Sequence, residues 1–65
     1  MRVKGKIKWF NEQKGYGFIL GDDGEDYFVH FSQAPRNARL DEGLEVSFEP
    51  HEGDRGKQAK SVDIE

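Results

Sequence analysis

The sequence predicts an all-β fold, five short antiparallel strands closed into a small barrel. Three observations carry that expectation. Apolar and polar residues alternate with period two in successive short runs, clusters of Gly, Pro and Asp separate the runs, and no window shows a helical period. Five short strands laid out as an open flat sheet would leave one face bare, so closure is the economical arrangement. A chain of 65 residues removes only about 60% of its unfolded surface on folding, which predicts one domain over residues 1–65.

The first strand is "VKGKIKWF", where Val3 and Ile7 fall on one face and Lys4, Lys6 and Lys8 on the other. In the second, Tyr16, Phe18 and Leu20 alternate with Gly17 and Ile19. "GDDGED" follows, a turn cluster whose Asp23-Gly24 pair suits the positive φ of a hairpin. "YFVHF", Tyr27 to Phe31, is the third strand, and "LEVSFE" the fourth, with Leu44, Val46 and Phe48 alternating against Glu45, Ser47 and Glu49. Between them "SQAPRNARLDEG" is too broken by Pro35 for a long helix. Pro50 and "EGDRGK" read as the next turn, leaving "QAKSVDIE" as a fifth strand. Its alternation is faulty, with Lys60, Val62 and Ile64 on one face, which predicts a bulge or a shifted register.

This alternation fills the interior with Val3, Ile7, Ile19, Val29, Leu44, Val46, Phe48 and Val62. Tyr27 also points inward, and a buried phenol needs a partner at the barrel end or a backbone carbonyl. Strict alternation places Trp9 inside beside Ile7. Tyr16, Phe18, Phe28 and His30 are pushed outward, onto the faces opposite Ile19 and Val29.

Charge is segregated along the chain. The whole carries −3, but residues 1–19 hold five bases against Glu12, residues 20–54 two bases against ten acids, and residues 55–65 three bases against two acids. The first segment is a local basic stripe, and salt screening beyond roughly 10 Å lets such a stripe hold phosphates despite a net negative charge. Without cysteine there is no disulfide framework, thiol nucleophile or Cys-based zinc site, which fits a reducing, cytoplasmic setting. No apolar run is long enough to span a bilayer, and the alternating N-terminus is unlike a signal peptide.

Outward rings beside Lys6 and Lys8 make an aromatic platform edged by positive charge. Bases stack on such rings while Lys and Arg follow the phosphates. Gly15 and Gly17 would leave Tyr16 and Phe18 uncovered and let a strand approach closely. Two other readings compete: the rings are cross-strand pairs stabilising a sheet or covered by the 32–43 loop, or they form an apolar patch for a protein partner, making the chain a small barrel adaptor.

"KGYGFI" also matches the pattern basic, Gly, aromatic, Gly, Phe, aliphatic of the first RNP motif, with Gly21 where the pattern's final aromatic would fall. That motif occurs in RRM domains, which need two helices this chain does not offer. The combination of "GKIKWFNEQKGYGFI" with "DYFVHF" and "GDRGKQA" resembles the bacterial cold-shock proteins over essentially the whole chain. The resemblance implies an OB-fold-type barrel that binds single-stranded RNA and DNA with a leaning toward pyrimidines, acting as a monomer and without a cofactor. It implies an RNA chaperone role, with transcription antitermination and translation under cold or other stress as outputs.

Carried over by position, the resemblance makes Trp9, Phe18, Phe28, His30 and Phe31 stacking surfaces, with Tyr16 beside them. Lys8, Lys14 and Arg55 supply phosphate or base-edge contacts, and Asn11 and Asp26 hydrogen-bond base edges. An outward Trp9 requires a bend or bulge after Lys8, near Phe10. The chain departs from the family in its long loop, which is shorter and lacks the usual aromatic; Arg36 or Arg39 would stack or bind phosphate instead. Lys57 stands where the family commonly has Pro, and Lys60 where it has a small residue. Both add charge near Arg55, which predicts a steeper salt dependence; Lys6 and Phe10 complete the candidate set.

Other sites are set aside. Gly15-x-Gly17 lacks the third glycine and the helix of a dinucleotide fingerprint, and "DDGED" lacks the spaced ligands of a calcium loop. His30 and His51 fit no zinc pattern. Asp26, His30 and Ser32 do not form a catalytic arrangement, because Ser32 would lie on a turn with no oxyanion donor, so no enzyme is expected.

Overall fold

The structure, a computed structural model, describes every residue except Met1, Asn37, Ala38 and Arg55. Five strands form a closed barrel: β1 (Val3–Asn11), β2 (Tyr16–Gly21), β3 (Asp26–His30), β4 (Glu45–Gly53) and β5 (Gly56–Ile64). A 3-10 turn, Phe31–Gln33, follows β3, so Phe31 starts a turn where the pattern placed a strand end. Around the barrel the order is β1-β2-β3-β5-β4. The β1–β2, β1–β4, β2–β3 and β4–β5 seams are antiparallel, as expected. The closing β3–β5 seam departs from the expectation: it is parallel and, among the described residues, consists of one pairing, Phe28 with Gln58.

The inward residues form the core as their alternation dictates. Ile7, Ile19, Val29, Val46 and Phe48 are fully buried, and Val62 is nearly so. Val3 and Leu44 sit at the edge of this core, half-buried against it. Leu40 and Ala59 join the core without having been singled out; each stands in a polar stretch where no alternation marks an inward position.

Two irregularities explain where strict alternation fails. In β1 the pairing with β2 shifts between Ile7, opposite Ile19, and Trp9, opposite Phe18. Lys8 is the extra residue of a bulge, so Lys8 and Trp9 both face outward. Trp9 is 41% exposed, which corrects its placement in the core and sets the break at Lys8 itself rather than beyond it. Beyond Lys6, where pairing with β4 ends, the Ile7 backbone turns to the 43–44 segment, donating to Leu44 O and accepting from Gly43 N.

The second irregularity is in β5. Ser47 pairs with Asp63 but Glu49 with Lys60, so β5 carries one extra residue, and Ser61 has φ 51°. The bulge puts Ala59 and Val62 inward and leaves Ile64 44% exposed, apart from the face that simple alternation gives it. Arg2 braces this distortion: its Nη2 donates to Ser61 O (2.8 Å), Ser47 O (3.1 Å) and Asp63 Oδ2 (3.0 Å). β4 also runs through Pro50 to Gly53, where the pattern placed a turn. Beyond Phe48 only β5 pairs with β4, so position 50 lies on a free edge where a missing N–H is tolerated.

The β2–β3 hairpin closes through a turn in which Gly24 N donates to Gly21 O and Gly24 takes φ 84°. Tyr27, buried against Phe48 with ring centroids 4.8 Å apart, sends its hydroxyl back to this turn and donates to Asp23 Oδ2 at 2.6 Å. The partner is thus a carboxylate at the barrel end. This bond is the main cause that raises the Tyr27 pKa from 10.0 to about 12 and lowers that of Asp23 from 3.8. The two shifts make the contribution of the pair depend on pH. Tyr27 stabilises the fold fully below pH 10, and this is lost as pH rises toward 12; the share of Asp23 is present above its unfolded value and lost as pH falls through the lower folded one. The stability gap between wild type and Tyr27→Phe, read by urea denaturation, is therefore expected to be widest near neutrality and to narrow above pH 10 and below pH 4. A gap constant with pH contradicts the bond.

Candidate nucleic-acid interface

Cross-strand registry assembles the outer face in rows. Trp9, Phe18 and Phe28 form one row across β1, β2 and β3; Asn11, Tyr16 and His30 form the next; Lys6, Leu20 and Asp26 the third. The aromatic side chains make a circuit of neighbouring rings: Trp9–Phe18 5.5 Å, Phe18–Phe28 5.8 Å, Phe28–Tyr16 5.7 Å and Tyr16–Trp9 5.9 Å between centroids. These are edge and tilted contacts, in which each ring supports its neighbour without lying flat against it. Tyr16, Phe18 and Phe28 are half-buried in this way. The β1 bulge is what brings Trp9 into the circuit.

Phe31 and His30 continue the surface toward one end of the barrel. Their centroids lie 4.6 Å apart, and Phe31 is 61% exposed, unusual for a phenylalanine. His30 Nδ1 accepts from Ser32 N at 3.3 Å and lies 2.8 Å from Ser32 Oγ, which caps the 3-10 turn and engages Nδ1, so that Nε2 is the ring's other polar atom. The Ser32 hydroxyl thus belongs to a local cap, and the Asp26 carboxylate is engaged by Lys8 rather than by His30.

The glycines have reasons other than uncovering rings. A Cβ on Gly17 would point inward, into the Trp9 carbonyl oxygen and to within 2.6 Å of Phe10 Cα, so Gly17 is what lets β2 close on the β1 bulge. Gly15 has φ 78°, and a Cβ there would lie 2.8 Å from Phe31 Cδ1. The Phe31 ring is laid over the space a side chain would fill, and Phe31 N donates to Gly15 O at 2.9 Å. "KGYGFI" therefore positions Trp9 and Phe31 as well as its own Tyr16 and Phe18.

Polar groups surround the rings. Lys8 Nζ reaches across β2 to Asp26 Oδ2 at 3.1 Å, both side chains about half exposed. Lys57 Nζ pairs with Glu25 Oε1 at 3.3 Å, and Arg39 Nε with Asp41 Oδ1 at 3.4 Å. Asn11 Oδ1 accepts from Lys14 N, so its carbonyl holds the β1–β2 turn and its amide NH₂ is the part left to a ligand. Lys14 and Arg36 line a cleft of about 580 Å³ with Phe10, Phe31, Pro35 and Leu40 beneath the end of the platform. Phe10 is half-buried against the core, Lys6 is exposed, and Lys60 pairs in register with Glu49 on the β4–β5 arm. Arg55 lies outside the described residues. Among the described residues no group of three His, Cys, Asp or Glu is placed to hold a metal ion, and no helix is long and apolar enough to cross a membrane.

Residues 3–64 match the family described as "'Cold-shock' DNA-binding domain". The chain is 55% identical over 64 residues to "Cold shock-like protein CspE" of Bacillus anthracis, covering 95% of this chain and 96% of the relative. It is 54% identical over 61 residues to "Cold shock protein CspB" of Bacillus caldolyticus, covering 91% and 92%. Among solved structures, "drosophila Unr CSD456" superposes with a TM-score of 0.84 at 24% identity over the whole chain, which spans 27% of that longer one and shares its fold. An all-β closed barrel, an outward ring circuit and a family match over nearly every residue agree: the chain belongs to the cold-shock domain family of nucleic-acid-binding proteins.

Proposed function

We propose that this chain binds single-stranded RNA and DNA as a monomer, leaning toward pyrimidines, and acts as an RNA chaperone in the cytoplasm. The observation that carries the reading is the ring circuit of Trp9, Phe18, Phe28 and Tyr16 on one outer face. Stacking on such a face is open to every base and closed to bases held inside a duplex. Each base stacked on a ring is a base not paired, so binding drains marginal hairpins by mass action, without ATP. Lys8 and Lys14 beside the rings favour a phosphate-bearing ligand over an apolar protein surface. Asn11, Asp26 and His30 Nε2 supply base-edge contacts, and transcription antitermination and translation under stress are the outputs such melting serves.

Trp9 reports on the site directly. Titration with oligothymidine at low salt is expected to quench its fluorescence, the only tryptophan signal of the chain, with affinity falling as salt rises because counterions are released from the strand. Unquenched fluorescence across the titration contradicts the proposal.

A further inference from the structure

Most of the cations whose side chains are described already have a partner. Arg2, Lys4, Lys8, Arg39 and Lys57 each stand 3.0 to 3.7 Å from a carboxylate. In a chain with thirteen acids and ten bases, Lys14 and Arg36 belong to none of the ion pairs among the described residues, and both line the cleft of about 580 Å³ beneath the end of the ring platform. We propose, resting on the single-strand reading above, that this cleft seats the end of a strand: Lys14 and Arg36 hold a terminal phosphomonoester while the end base lies on Phe31.

Two loops build the cleft. The β1–β2 turn brings Lys14, whose N donates to Asn11 Oδ1 at 2.9 Å, and Gly15, whose O accepts from Phe31 N at 2.9 Å. That second bond ties the turn to the segment after β3, which carries Arg36. Phe10 and Leu40 line the cleft from below, and both pack into the core, so the cleft is closed on that side. A strand that has run over the rings meets this wall. An internal phosphate needs room for the chain on both sides of it, whereas a terminal one needs room on one side only.

Charge favours the terminus as well. A phosphomonoester carries about −1.5 to −2 at pH 7 and three free oxygens, against a single charge and two free oxygens for a phosphodiester inside the strand. The guanidinium fork of Arg36 takes two oxygens at once and the Lys14 ammonium a third. Phe31, 61% exposed, offers the end base its face. Glu12 opposes this: its exposed carboxylate lines the same cleft, is paired with neither cation and repels the dianion. Hydrolysis of a phosphodiester leaves one such phosphate end, so the cleft directs the protein to cleaved strands over the interior of intact ones.

The test compares three heptathymidines, with a 5′-phosphate, with a 3′-phosphate, and with hydroxyls at both ends, by Trp9 quenching at constant salt. Wild type, Lys14→Met, Arg36→Met and Glu12→Gln are each first checked for cooperative thermal unfolding. The two phosphorylated strands carry equal charge, so general attraction treats them alike. Wild type is expected to bind one of them about tenfold more tightly than the hydroxyl strand, and the other at most about twofold more tightly. The tenfold gain falls to about twofold in Lys14→Met and in Arg36→Met and grows in Glu12→Gln. Equal gains for the two phosphorylated strands, or no gain for either, overturn the proposal, as does a gain that survives both cation substitutions. If wild type binds none of the three, the single-strand reading itself fails, and the end site with it.

Discussion

Replacing Phe18 and Phe28 together by alanine is expected to lower affinity for oligothymidine by about a hundredfold or more, at about 1–3 kcal/mol for each stacked base. The two side chains face each other directly across β2 and β3 and supply half of the ring circuit. Their loss removes two stacking surfaces and lets Trp9 and Tyr16 tilt into the space. Stability should respond far less. Both rings lie outside the core, and cross-strand pairs contribute about 0.2–1 kcal/mol each, a few degrees of Tm in a chain this small. Thermal unfolding and binding measured on one preparation separate the two effects. Unchanged affinity, or collapse of the fold, would return these rings to the role of sheet supports.

The largest expected effect on stability comes from a methyl group. Gly17→Ala drives a Cβ into the Trp9 carbonyl oxygen and against Phe10 Cα, backbone atoms of a strand hydrogen-bonded on the same side. Neither can yield without opening the β1 bulge. Overpacking usually costs about 1–3 kcal/mol, and a clash with backbone belongs at the upper end. At about 4–8 °C per kcal/mol for a domain of this size, Tm should fall by about 12 °C or more. Gly24→Ala is the control: φ is 84° but nothing lies within 4 Å of the added Cβ, so only the left-handed backbone is penalised, at about 1–2 kcal/mol. Equal losses at the two sites would mean that Gly17 serves conformation rather than close approach.

Much of this architecture is legible in the sequence because period-two alternation is a local signal. Ile19 inward and Phe18 outward follow from spacing alone, as do Val29 and Phe28. The hairpin at Gly24 and the need of Tyr27 for a polar partner are equally local. What alternation does not carry is its own interruption. The bulges at Lys8 and Ser61 each shift a strand by one residue, and so move Trp9 outward and separate Ile64 from Val62. A faulty pattern in "QAKSVDIE" announces the second bulge; the first leaves no trace in a strand whose residues 7–10 are Ile, Lys, Trp and Phe. The resemblance to cold-shock proteins is what asks for a break there. Contacts distant in sequence were the least legible: Arg2 reaching Ser61, Gly15 beneath Phe31, and the parallel closure of β3 on β5.

The proposed function stands or falls on whether the outer rings hold unpaired bases. The most direct measurement is competition between two RNAs of equal length and composition, one unstructured and one folded into a stable hairpin with a minimal loop, followed through Trp9 at constant salt. The unstructured RNA is expected to bind at least tenfold more tightly, and added protein to shift a marginal hairpin toward its open form. Equal affinity for the two, or a preference for the duplex, would contradict it.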